Sequence, residues 1–163
     1  MMVRNENAND IPAIRALVTG AFKDAPHTMG TEAAIVDALR DGSALTVSLV
    51  AEREGVGHVA FSPVKIDGEL VDWYGLGPIA VRPDNQGCGI GVALIEAGLE
   101  RIKALNGRGC VVLGDPAYYS RFGFKSDPAL RFADVPPEHF QRLDFGDKER
   151  RGVVEYHPAF FAT

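Results

Sequence analysis

The segment GPIAVRPDNQGCGIG, residues 77–91, constrains this chain more than any other. An apolar run enters it, glycines alternate at positions 87, 89 and 91, and a helical pattern leaves it. The first amides of a helix have no internal acceptor, and the helix dipole adds partial positive charge at the same end. Glycines allow positive φ and let a ligand approach the backbone closely. A strand running into such a helix mouth predicts an anion site, most naturally for a phosphate or a diphosphate. Three phosphate templates compete. G-x-x-x-x-G-K-[ST] fails, because no Lys follows these glycines. G-x-G-x-x-G fails twice: its last position is Val92 when counted from Gly87 and Leu94 when counted from Gly89. The spacing Q-x-x-G-x-G, Gln86 to Gly91, remains. So does a glycine-rich turn that only redirects the chain.

The flanking pattern sets the fold class. Residues 91–106 place Val92, Ile95, Leu99 and Ile102 at helical spacing, closed by Asn106 and Gly107. Residues 110–113 are wholly apolar, as in a buried strand. Residues 76–113 thus predict strand–loop–helix–strand, a right-handed crossover between parallel strands. Ahead of it, 45–53, 56–66 and 70–81 are strand-like runs separated by Glu54-Gly55 and Asp67-Gly68, which predicts an antiparallel meander. Residues 2–5 predict a short first strand. A helix is expected to start at Asn9-Asp10, with Ile11, Ile14, Leu17 and Ala21 on one face. A loop over 24–30 and a second helix over 31–40, capped near Thr31, follow. Residues 116–122 predict a short helix, 136–140 a helical turn and 152–157 a last strand. The expectation is one α/β domain over 1–163, with a mixed central sheet flanked by helices.

Composition narrows the function. The chain has 163 residues, 46% hydrophobic and 24% charged, as expected of one ordinary globular domain. Its formal charge of -5 argues against a grip on nucleic acid through net charge, and gives no reason for attachment to anionic membranes. Backbone amides can still bind an anion without Lys or Arg. Cys88 and Cys110 form no disulfide framework, and with His27, His139 and His157 they show no metal-ligand spacing. Free thiols, no apolar run near the ~20 residues of a membrane span, and no apolar leader in MMVRNENAND make a cytoplasmic, metal-free protein the expectation.

The string IAVRPDNQGCGIGVALI, residues 79–95, resembles the acyl-CoA-binding motif [QR]-x-x-G-x-[GA] of the GNAT superfamily of N-acetyltransferases. YYSRFGF, residues 118–124, is similar to that family's Tyr-x-x-x-Gly-Phe element. The order of the remaining elements also fits, so the resemblance covers nearly the whole chain. It implies acetyl-CoA as cosubstrate, a primary amine as acceptor, direct attack in a ternary complex, and a possible homodimer. Ile79, Ala80 and Val81 would pair their backbone with the pantetheine arm, and an N–H there would face the developing oxyanion. Gln86, Gly87, Cys88, Gly89, Ile90 and Gly91 would seat the diphosphate on their amides, with Arg82 beside them. Tyr119, four residues before Gly123, would contact the cofactor and protonate the leaving thiolate, with Tyr118 as its rival. The family's strand carboxylate has no counterpart among Trp73, Tyr74, Gly75, Leu76 and Gly77. Asp72, His58 and Glu32 are the nearby candidates for a base, and none is favoured. That gap leaves a second class open, a sensor that binds CoA without turnover. A protein-interaction domain that has lost the ligand is disfavoured by the intact glycines. Phe132, Phe140, Tyr156, Phe160 and Phe161 are expected as core or as walls of the substrate end.

Overall fold

The computed structural model describes residues 2–22, 32–51, 56–133, 135–146 and 150–161. The sheet runs in the order β1 (Val3–Asn5), β2 (Val47–Ala51), β3 (Gly57–Ile66), β4 (Glu69–Val81), β5 (Gly109–Leu113) and β7 (Phe140–Asp144). The short β6 (Leu130–Arg131) pairs with β8 (Gly152–Glu155), which also pairs with the far end of β3. All neighbours on the main path are antiparallel except β4 and β5. The expected meander is β2–β3–β4, and the expected crossover is β4, α3 (Ile90–Ala104) and β5.

Both faces of the sheet are covered, which is why β2 is buried at every position instead of alternating. On one face, Leu94, Ile95, Leu99 and Ile102 of α3 pack with Val59, Phe61, Leu76 and Val112. On the other, α1 (Ile11–Phe22) and α2 (Glu32–Asp41) bury Ile14, Leu17, Val18 and Val36 against Val50 and Ala80. Each such fully buried aliphatic side chain contributes about 2 kcal/mol. The buried stripe of α3 leaves Val92 only half-buried, so the predicted face is rotated slightly.

The feature that builds the site is a fork. β4 pairs with β5 only over Trp73–Gly109, Tyr74–Cys110 and Gly75–Val111. Beyond Gly75, β4 runs on to Val81 with no partner in β5, while β5 stays paired with β7 as far as Leu113. One extra residue on β4 between the partners of Phe61 and Val59, at the cis peptide Gly77–Pro78, makes a bulge there.

Other differences from the sequence reading have local causes. The first helix is preceded by a 3-10 turn, Ala8–Asp10, capped by Asn7 rather than starting at Asn9-Asp10. Asn7 accepts from the Asn9 N–H, and the Asp10 carboxylate accepts from the Asn7 N–H. Residues 116–122 divide into α4 (Pro116–Tyr119) and a 3-10 turn. The sequence reading contains neither β6 nor β7. β7 buries the polar Gln141 and Arg142. Gln141 donates to the Gly114 carbonyl at 3.1 Å, and Arg142 pairs with Asp144 at 2.7 Å and Asp127 at 3.5 Å. The predicted loop at 24–30, the cap at Thr31 and the turn at Glu54-Gly55 lie outside the described residues. Among the described residues no helix is long and apolar enough to cross a membrane, and no cluster of His, Cys, Asp and Glu is placed to hold a metal.

Candidate active site

The glycines at the mouth of α3 serve different purposes. Gly87 and Gly89 both have φ of 81°, and a side chain at either would meet open space. They are required by backbone conformation. Gly91 is helical, and a Cβ there would stand 3.0 Å from the Tyr118 hydroxyl, so this glycine is required by space. Gly89 is the N-cap, no side chain caps the helix, and its first turn holds no acid. The amides of Ile90, Gly91 and Val92 are left without intrahelical acceptors, and the helix supplies no acid of its own against the dipole. They adjoin a cleft of about 390 Å³ whose lining includes Val81, Gln86, Gly89, Gly91, Tyr118 and Arg121.

Other side chains sort around this mouth. Gln86 donates to the Val81 carbonyl at 3.3 Å, so it fastens the loop to the strand end. Cys88 is exposed. Arg82 lies 4.0 Å from Asp84 and lines a separate groove against α1. The basic group at the cleft is instead Arg121, which the sequence reading missed. Its Nε donates to the Tyr118 carbonyl at 2.9 Å, and its guanidinium lies 4.4 Å from the Tyr118 ring centroid. The i, i+3 spacing of these two residues was the available signal. Beyond Val92 and Arg121 a second cleft of about 1050 Å³ continues along α3 to Lys103 and Arg108.

The fork lies next to the mouth. The side chains of Ile79 and Val81 approach Gly91 of α3, whereas Ala80 is buried on the α1 face. Tyr119 is 9% exposed, with its ring over Gly114, where an added Cβ would stand 2.5 Å from Cε2. It meets Phe124 and Tyr118 edge-on at 5.9 and 5.0 Å. Burial, with Tyr118 and Cys110 nearby, pushes its hydroxyl up to about 12, so it stays protonated at neutral pH. Tyr118 and Tyr119 are thereby separated: Tyr118 walls the helix mouth and Tyr119 sits at the end of β5. Burial also pushes the Cys110 thiol well up, which leaves it a poor nucleophile.

The three candidates for a base stand in different surroundings. His58 is fully buried on the face that α1 and α2 cover, with Nε2 2.8 Å from Ser48 Oγ. Ser48 donates to Glu6, which Arg40 holds at 2.9 Å. Burial brings His58 down to about 4, against an opposing pull from Glu6 and with help from Arg40. Asp72 is exposed with φ of 62°, one residue before β4 meets β5. Glu32 opens α2, on the opposite face of the sheet from α3.

Residues 45–126 match the family of acetyltransferase (GNAT) domains. An uncharacterised N-acetyltransferase of Escherichia coli (strain K12), YhbS, is 37% identical over 98% of both chains. The chain belongs to the GNAT acetyltransferase family. A GNAT acetyltransferase from Brucella melitensis, solved in complex with acetyl-CoA, is 46% identical, with a TM-score of 0.88 over 98% of this chain and 97% of that one. The E. coli YhbS structure, solved in complex with CoA, is 36% identical, with a TM-score of 0.90 over 98% of this chain and 91% of that one. The mixed sheet, the forked strand pair and the glycine-rich mouth of α3 are this GNAT chain's version of the shared fold.

Proposed function

We propose that this GNAT chain transfers the acetyl group of acetyl-CoA to a primary amine by direct attack in a ternary complex. One observation carries the reading: a helix mouth with unsatisfied amides opens beside the unpaired edge of β4. The residues fit the cosubstrate. The amides of residues 87–91 suit a diphosphate, Arg121 suits a phosphate, and the edge of β4 at Ile79, Ala80 and Val81, left without a partner in β5, suits the amide-bearing pantetheine arm. The two relatives solved with acetyl-CoA and CoA support the same assignment.

Acetyl-CoA supplies an activated carbonyl. An N–C bond forms, the C–S bond breaks, the amine loses a proton and the sulfur gains one. Main-chain N–H groups on the open edge of β4 face the oxygen that becomes negative. Tyr119 holds a proton at its phenolic oxygen and donates it to the departing sulfur. The amine proton leaves to solvent.

The absence of an acid from residues 73–77 of β4 favours a second reading, a CoA-responsive module without turnover. Thiol release from acetyl-CoA across a panel of primary amines separates them. Turnover with at least one amine, far above hydrolysis, is expected. Tight CoA binding with no amine accepted supports the sensor.

A further inference from the structure

A second buried phenol lies near the fork besides Tyr119. Tyr156, just past β8, reaches the other face of the sheet, where Trp73, Val64 and Val111 lie. A Cβ on Gly75 would stand 2.6 Å from Tyr156 Cε1 and 3.1 Å from Cδ1. The Cδ1–Cε1 edge of the ring therefore lies over Gly75, the last residue of β4 that pairs with β5. The arrangement mirrors Tyr119 over Gly114: each side of the gap has a glycine whose missing side chain admits a tyrosine ring.

Two further observations mark this spot as more than packing. Ser62 is directly opposite Gly75 in the β3–β4 register, so its side chain emerges on the same face, beneath the Tyr156 ring. It is fully buried, and its hydroxyl has no partner among the described residues. Buried hydroxyls are nearly always paired, so an orphan here points to a ligand. Phe132 and Phe160 flank Tyr156 at ring-centroid distances of 4.9 and 5.0 Å and fix its orientation, while no described residue hydrogen-bonds its phenolic oxygen.

We propose that Tyr156 positions the acceptor: from the face opposite α3, its phenolic oxygen accepts a hydrogen bond from the attacking amine's N–H, with Ser62 as the adjoining polar contact. Tyr119 serves the sulfur side of the gap and Tyr156 the nitrogen side. Burial, with Cys110 and Tyr119 nearby, keeps the Tyr156 hydroxyl protonated, so it orients the amine and does not remove its proton.

This assignment rests on the acetyl-transfer reading, and one probe pair keeps the two apart. The probes are CoA alone and a bisubstrate analogue in which the CoA sulfur carries CH2–CO–NH–butyl, its amide N–H standing for the acceptor. Tyr156→Phe keeps the ring over Gly75. It should weaken the analogue about tenfold, the worth of one hydrogen bond, and leave CoA affinity and the urea midpoint unchanged. Analogue binding equal to the wild type, an equal loss for both probes, or a loss for CoA alone overturns the role of Tyr156. Failure of the wild-type protein to bind CoA overturns the underlying reading instead.

Discussion

At the residue scale, the glycines of the helix mouth separate conformation from space. Gly89→Ala places a side chain at φ 81° and should cost about 1 kcal/mol in urea unfolding. Gly91→Ala costs less, because only the movable tip of Tyr118 must give way. Equal losses would mean that backbone strain at Gly89 is absent. Tyr119→Phe tests the proton donor. It should lower kcat at least tenfold while CoA binding stays within twofold, as measured by thiol release and calorimetry with the amine that turns over best. Unchanged kcat would reduce Tyr119 to a packing residue. The sequence made the glycine spacing and both tyrosines legible, because their types and intervals are local. It did not separate Tyr118 from Tyr119, nor reveal Arg121 and the poise of Tyr156, since those depend on which glycine each ring lies over.

At the element scale, α3 approaches the sheet closely because Gly98 admits the Phe61 ring, whose Cε1 would stand 2.1 Å from an added Cβ. Gly98→Ala must push helix and strand apart and should destabilise by about 2 kcal/mol, read as a lower urea midpoint with an unchanged m value. An unshifted midpoint would show that the contact relaxes freely. The crossover β4–α3–β5 was readable because its apolar periodicities change cleanly from strand to helix and back. β7 was not, because Gln141 donates to Gly114 and Arg142 pairs with Asp127, both remote in sequence. The fork follows from where pairing stops, and no local pattern encodes that.

At the scale of the whole molecule, the polar network under α1 and α2 sets the acid response. His58 is held near 4 when folded, against an ordinary value of 6.5, so the unfolded chain binds the extra proton between those limits. Stability is complete above about pH 7 and falls by about 3 kcal/mol as pH drops to 4. A second loss follows below it. Burial alone would raise Glu6, but hydrogen bonds from Arg40 and Ser48 and the Arg40 charge bring it below its ordinary value. The Arg4 hydrogen bond, with the Asn7 N–H, holds Asp10 down at about 2. Both carboxylates lose their partners as they protonate. Urea midpoints between pH 8 and 4 check the first step, and a flat profile would contradict it. The His58→Phe variant should show a shallower slope between pH 6.5 and 4.

The mouth of α3 and the fork beside it matter to function only if they act on one molecule. A crystal structure of this chain grown with CoA tests that most directly. The account predicts the diphosphate on the amides of residues 87–91, the arm along Ile79, Ala80 and Val81, and the sulfur in the gap near Tyr119. Cofactor density lodged elsewhere, or a mouth filled by the protein's own atoms, would contradict it.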